Sequence, residues 1–232
     1  DVKDFSNGFV PFVSSLGIVM LLMILQPDVG TMTVIVATAL AVYFVAGAPW
    51  KHLLVLGGGG IVAFSLLIGL APYRAARFMT FLHPELDPQG VGYHINQAML
   101  AIGSGGMFGL GFGHSRQKFQ YLPEVAGDSI FAVIAEELGF IVAAGFIVLI
   151  VLLAKRMLMI ASDAPDKFSQ LVVVGVTAWV VFQSFVNIGA MLGLMPMTGI
   201  PLPFVSYGGT AMLVLLSAMG IVLNISRYRK SS

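Results

Sequence analysis

Residues 130–154 read IFAVIAEELGFIVAAGFIVLIVLLA, apolar around the whole helical circumference apart from Glu136 and Glu137. A helix that crosses a bilayer needs about 20 mostly apolar residues, and all-round apolarity suits lipid or a buried bundle better than a half-wet surface. Five further runs have the same character, at 9–25, 31–48, 53–71, 171–194 and 205–225. Small residues within them, such as Ala37, Ala41, Gly145 and Gly175, let neighbouring helices approach closely. Composition agrees: 58% of the 232 residues are hydrophobic and 10% are charged. A soluble domain carries about 25% charged residues, so a water-facing surface cannot be covered here. The expected fold is an all-α integral membrane protein, a polytopic helix bundle of six spans forming one membrane domain over 1–232, with a large loop over 72–129.

Several classes drop out. A formal net charge of +1 argues against a nucleic-acid module, which concentrates positive charge on one face. The chain has no cysteine, which excludes disulfides, thiolate zinc sites and a cysteine nucleophile. His52, His83, His94 and His114 show no ligand spacing, and no nucleophile elbow is present. The chain begins at Asp1 with no secretory leader before the first apolar run, so a fragment or a processed product is expected.

Orientation follows the Lys/Arg bias of short loops. With six spans both ends share a side, which holds Lys3, Lys51, Lys155, Arg156, Lys167, Arg227, Arg229 and Lys230. The other side holds Arg74, Arg77, Arg116 and Lys118, all in the long loop. The richer side is the cytoplasm, and 72–129 faces outward. That loop is apolar rather than low-complexity. Its Tyr93–Met107 stretch suits an interfacial helix, so it is where chemistry is expected.

The loop carries a glycine run, Gly103-Ser104-Gly105-Gly106-Met107-Phe108-Gly109-Leu110-Gly111-Phe112-Gly113. Phe108 stands where a dinucleotide fingerprint needs glycine, and no Gly-Lys-Ser/Thr follows. Tight packing is the commoner use of such glycines; the alternative is a concavity of backbone N–H groups that holds a diphosphate. Glu124 and Asp128 flank the entrance to the fourth span. Asp128 can be an N-cap, although Phe131 occupies the position a capping box would give to Glu or Gln. The alternative is acid–base work by carboxylates beside an apolar mouth. Glu136 and Glu137 read as structural, because consecutive helical residues point about 100° apart. Asp28, between Pro27 and Gly30, reads as turn chemistry. The proline-rich stretch from Met195 to Phe204 is a rigid non-helical segment of the kind that lines a cavity.

Taken in order, the pieces resemble one family. They are Leu25-Gln26-Pro27-Asp28-Val29-Gly30-Thr31, Asp87-Pro88-Gln89-Gly90-Val91-Gly92-Tyr93 and Ala101-Ile102-Gly103-Ser104-Gly105-Gly106. Gln117-Lys118, Leu122-Pro123-Glu124, and Asp128 with Ile130-Phe131-Ala132 and Glu136-Glu137-Leu138-Gly139 follow. Phe185-Val186-Asn187-Ile188-Gly189, Pro196 to Phe204, Ser206-Tyr207-Gly208-Gly209 and Asn224-Ile225-Ser226-Arg227 complete the set. The chain resembles the SEDS family (shape, elongation, division and sporulation), and its division branch more than its elongation branch. Two positions depart from the family pattern: Ala126-Gly127 stand where His-Thr is common before the Asp, and His94 stands where Gln is common.

The resemblance implies a ten-span fold of which this chain is the last six spans. It implies a peptidoglycan glycosyltransferase that polymerises lipid II on the outer membrane face during septal wall synthesis in bacterial division. The implied partners are a class B penicillin-binding transpeptidase, other divisome membrane proteins and the lipid bilayer; the implied place is the inner membrane at the septum. Asp128 is expected as general base, with Glu124 as its runner-up. Lys118, Arg77, Gln97, Ser104, Gly105, Gly106, Pro201 and Ser206 are expected on the substrate side. No organic cofactor is implied; a divalent cation can accompany the diphosphate. A lipid-linked precursor flippase and a non-catalytic divisome scaffold are the competing classes. Because the ionisable groups gather in the outer loop rather than at midplane, surface chemistry is favoured over transport.

The topology has a direct test. Single cysteines at Gln89 and Lys167, probed with an impermeant thiol reagent in intact cells, should label only at Gln89. Labelling at Lys167 alone would invert the assignment.

Overall fold

The computed structural model describes residues 2, 4–26, 28–69, 72–120 and 122–228, with only the backbone for Phe64, Leu67, Pro72, Tyr73, Arg74 and Gln120. Expectations on Lys3, Pro27, Ala71, Arg229 and Lys230 lie outside the described residues. Every regular element among the described residues is helical. A π-type turn (Phe5–Phe9) leads into α1 (Val10–Leu25), followed by α2 (Val29–Val45), α3 (Trp50–Gly69) and α4 (Pro72–Leu82). Next come a 3₁₀ turn at Pro84–Leu86, α5 (Val91–Ser104) and the short α6 (Gln117–Gln120). The long helices α7 (Ile130–Ser162), α8 (Lys167–Met191) and α9 (Gly209–Arg227) complete the chain.

Four described helices are long and apolar enough to cross a membrane: Phe5–Leu25, Ile130–Ser162, Lys167–Met191 and Gly209–Arg227. Val29–Val45 is apolar but shorter, and the 20-residue α3 covers the third expected run. The helix ends have local causes. Asp28 caps α2 by accepting from Thr31 N at 2.9 Å, which gives the expected turn residue a second task. Asp166 caps α8 through Ser169 N at 2.9 Å. Gly193, with φ 66°, ends α8 three residues before the expected limit, and Leu194 N bonds back to Gly189 O at 2.8 Å. The fourth run continues past Ala154 through Lys155 and Arg156 to Ser162, because both cations are good helix formers.

The chain divides into two compact units. One holds residues 1–67, 154–182 and 216–232. Within it Phe12 stacks on Tyr43 at 4.1 Å, Tyr43 Oη lies 2.9 Å from His52 Nδ1, and Lys167 Nζ donates to Val45 O at the end of α2. The cation there meets the negative end of the α2 dipole. The other unit holds 68–153 and 183–215. The Lys/Arg partition follows the same division: Lys51, Lys155, Arg156, Lys167 and Arg227 belong to the first unit, and Arg74, Arg77, Arg116 and Lys118 to the second.

In the second unit α7 breaks at Gly139, where φ is 81° and ψ is 176°. The break frees the carbonyls of Glu136 and Glu137 and the amides of Phe140 and Ile141, which an unbroken helix would pair with one another. The glycine run takes up all of them. Leu110 N and Gly111 N donate to Glu136 O and Glu137 O at 2.9 and 3.0 Å, and Phe140 N and Ile141 N donate to Gly106 O and Met107 O at 2.9 and 3.3 Å. Only glycine permits this approach. A Cβ on Gly105 would lie 2.0 Å from Ala135 O, one on Gly109 2.2 Å from Glu137 O, and one on Gly139 2.3 Å from Gly109 N.

Gly139→Ala would therefore add a steric clash to an extended positive-φ backbone that itself costs a non-glycine residue about 1–3 kcal/mol. The purified protein in detergent should show a clearly lowered unfolding midpoint. Gly145→Ala, whose Cβ meets nothing within 4 Å, should leave it unchanged or slightly raised. Equal midpoints for the two variants would contradict the strap.

Candidate functional site

Asp128 closes the turn Pro123–Asp128 ahead of α7 and is 9% exposed. Helix α7 begins at Ile130, so the N-cap position belongs to Ser129, whose carbonyl accepts from Ala132 N and Val133 N. The Asp128 carboxylate is thus not the cap of α7. Its Oδ1 lies 3.3 Å from Ser129 Oγ, and a Cβ on Gly199 would come within 3.9 Å of its Oδ2. Burial pushes the Asp128 carboxyl above the usual carboxylate range; the nearby His94 and the Ser129 hydroxyl pull it back, and Glu124 adds a smaller upward push. Glu124 itself is exposed, in a left-handed conformation (φ 46°), with its carbonyl accepting from Gly127 N at 2.9 Å.

A frame of backbone contacts holds the turn. Asn187, buried in α8, donates through Nδ2 to both Asp128 O (2.7 Å) and Ile200 O (2.8 Å). Ser206 Oγ donates to Gly127 O at 2.5 Å while accepting from Leu202 N, and Tyr207 N donates to Ala126 O at 2.7 Å. Gln183 Nε2 donates to Pro201 O at 2.7 Å. The proline-rich segment is thereby latched to the Asp128 turn, and Ser206 and Pro201 enter as frame atoms. Ala126 and Gly127 contribute only their carbonyls to this latch, so these contacts do not depend on a side chain at either position.

The remaining expected residues separate from this frame. Lys118 Nζ bonds Glu137 Oε1 at 3.1 Å and stays about one third exposed. Glu136 accepts from Ser115 Oγ and from Arg116 N (2.9 Å) and Gln117 N (3.3 Å). The adjacent glutamates hold one loop from two sides, which is the structural task expected of them. Gly105 N donates to Ala101 O, and the amides of Gly109, Leu110 and Gly111 are bonded to protein carbonyls. These three amides and Gly105 therefore serve the packing of the run against α7. Ser104 is exposed with its hydroxyl on Ala101 O, Gly106 is exposed, and Gln97 is half-buried. Asn96, Met99, Leu100, Gly103 and Ser104 line an open groove of about 680 Å³ along one face of α5. The Arg77 Nε is buried on α4. No group of three His, Cys, Asp or Glu side chains is gathered to hold a metal ion among the described residues.

The family model described as a cell cycle protein, of the FtsW, RodA and SpoVE type, matches residues 1–231. The chain belongs to the FtsW/RodA/SpoVE family. This family member is 44% identical over 230 residues to stage V sporulation protein E of Bacillus subtilis, covering 99% of this chain and 63% of that protein. It is 39% identical over 233 residues to the probable peptidoglycan glycosyltransferase FtsW of Idiomarina loihiensis, covering 99% and 57% respectively. Among solved structures it matches a chain of a peptidoglycan synthase complex that coordinates polymerization and crosslinking, with TM-score 0.74, 33% identity and coverage of 99% of this chain and 63% of that one. It also matches the rod shape determining protein RodA of Thermus thermophilus, with TM-score 0.60, 31% identity and coverage of 95% and 55%. The chain spans roughly 57–63% of the length of these two curated relatives. It is a multi-pass inner-membrane protein with an all-α fold.

Sequence reasoning reached Asp128 and Glu124 but passed over what positions them. Asn187 carried a legible signal, one of two side-chain amides, with Gln183, inside an apolar run. The Asn187→Leu variant leaves two buried carbonyls without this donor, at about 1–3 kcal/mol each. Its unfolding midpoint in detergent should fall well below that of the wild type. Asn96→Leu, on the exposed face of α5, serves as control. An unchanged midpoint for Asn187→Leu would remove the clamp from the account.

Proposed function

We propose that this chain is the catalytic portion of a peptidoglycan glycosyltransferase. It polymerises lipid II on the outer face of the inner membrane, in septal wall synthesis, alongside a class B penicillin-binding transpeptidase and other divisome proteins. The observation that carries the reading is Asp128: a carboxylate 9% exposed, at the apolar mouth of α7, on a turn latched by α8 and the proline-rich segment. The relatives named as probable peptidoglycan glycosyltransferases and the match to a peptidoglycan synthase complex support the substrate class.

The chemistry follows from what glycan polymerisation needs. A sugar hydroxyl attacks an anomeric carbon that bears a lipid diphosphate. The hydroxyl is a weak nucleophile, and a positioned carboxylate that takes its proton contributes about 10²–10⁴ in rate. The O–H bond breaks, the new O–C bond forms, and the diphosphate leaves with the bonding pair. Displacement on the face opposite the diphosphate inverts an α donor into a β link in one step, so no covalent enzyme intermediate is needed. Asp128 is assigned as the base. Its raised affinity for protons moves the acidic limb of activity above the ordinary carboxylate range and makes the carboxylate a stronger base once ionised. Lys118, held by Glu137, and Arg77 are assigned to the departing negative charge. Glu136 and Glu137 are occupied with the 115–118 loop, which leaves no free carboxylate pair within α7 for a transport cycle.

The decisive experiment uses the complete protein with its transpeptidase and lipid II. Asp128→Asn should fold and insert normally yet lose glycan synthesis by at least about two orders of magnitude. Near wild-type synthesis by Asp128→Asn, together with a dead Glu124→Gln, would move the base to Glu124.

A further inference from the structure

His94 has no task in the chemistry above. It sits in the first turn of α5, half-buried, with Nε2 2.6 Å from Ser129 Oγ. Ser129 is fully buried, and its Oγ lies 2.9 Å from Pro123 O and 3.3 Å from Asp128 Oδ1. A serine hydroxyl has one proton to donate and two lone pairs to offer. It cannot donate to the imidazole, the carbonyl and the carboxylate together, so its direction depends on which neighbour carries a proton. With His94 neutral and protonated on Nδ1, the hydroxyl donates to Nε2 and accepts from a protonated Asp128. With His94 cationic, Nε2–H donates to Oγ, and the hydroxyl turns to Pro123 O or to an ionised Asp128.

Resting on the assignment of Asp128 as base, we propose that His94 is a positioning residue of that base. It acts through the Ser129 hydroxyl to set the charge of Asp128 and to receive the proton Asp128 removes. After the sugar proton reaches Asp128, it passes to Ser129 Oγ as Ser129's own proton passes to His94 Nε2. The products are a carboxylate and an imidazolium, and the imidazolium then releases its proton to water. No oxidant or further reactant is consumed.

The surroundings fit a shared proton. Burial lowers the proton affinity of His94 and raises that of Asp128, so the two converge, while the mutual attraction of the charged forms opposes both shifts. Glu124, from the turn, favours the protonated state of both groups. The other elements packed on the Asp128 turn present no ionisable side chain to the carboxylate: Asn187 from α8 donates to Asp128 O, Ser206 Oγ to Gly127 O and the backbone N–H of Tyr207 to Ala126 O, while Gly199 lies near Oδ2.

The test is the pH dependence of initial polymerisation rate by the complete protein with its transpeptidase and lipid II. His94→Gln keeps a donor for Ser129 but cannot become a cation. Asp128 then loses a neighbouring positive charge, and the acidic limb should move to higher pH by about one unit. Ser129→Ala, which keeps the imidazole and removes the link, should shift the limb in the same direction; it also serves if His94→Gln fails to assemble. A limb unmoved in whichever variants assemble, with only a uniform change in rate, would overturn the proposal and leave His94 a structural contact. Asp128→Asn run in parallel separates the two ideas. If it is inactive, an unmoved limb counts against His94 alone; if it is active, the base assignment fails and the His94 proposal fails with it.

Discussion

Four backbone groups at the Gly139 break must be satisfied inside the protein, because an apolar surrounding offers them no water and each unpaired group costs free energy. The Gly106–Gly111 strap meets that requirement with four bonds, and much of the second unit follows from it. Glycines at 105, 109 and 139 are needed because a Cβ at any of them would fall 2.0–2.3 Å from backbone atoms. Once the strap is seated, Glu136 and Glu137 are presented to residues 115–118 and fix Lys118. The strap also continues directly from α5, so the same contact restrains the helix that carries His94.

The Asp128 turn is held differently. Its carbonyls at 126, 127 and 128 accept from Tyr207 N, Ser206 Oγ and Asn187 Nδ2. Bonds to consecutive carbonyls fix the backbone while leaving the carboxylate to its own chemistry. That is what a general base requires, since a misplacement of about 1 Å can cost 10²-fold in rate. Burial then sets the proton affinity of Asp128, whereas Glu124, four residues earlier, remains in solvent. Two carboxylates on one turn thus occupy unlike environments, a pattern that separates acid–base roles.

The helical membrane class was legible because apolar runs are a property of composition along the chain. Helix ends were less so: Lys155 and Arg156 read as a stop, yet both continue α7 to Ser162. The break at Gly139 left no local mark, since an isolated glycine in an apolar run reads as tolerated, and the bonds that compensate it come from residues 28–33 positions before it. The glycine run announced itself, with packing the commoner use of such a pattern and anion binding the alternative until its partners are known. Asp128 and Glu124 stood out as carboxylates at a span entrance. The His94–Ser129 contact, between residues 35 apart, and the double clamp of Asn187 arise from tertiary structure alone.

These two kinds of restraint bear on what the ionisable groups can do. A carrier that alternates its access needs buried charges able to exchange partners as helices move. Glu136 and Glu137 are poor candidates, because their carboxylates bind the loop that follows the strap and their carbonyls bind the strap itself. Releasing either carboxylate loosens the loop behind the seal that covers the α7 break. Motion there would cost several hydrogen bonds in an apolar setting, each far more expensive to lose than at a wet surface. Asp128 lies outside the helical ladder, and its backbone can stay fixed while its side chain gains or loses a proton. A fixed frame around one protonatable carboxylate is suited to repeated bond-making at a stationary site rather than to movement of a bound lipid through the membrane.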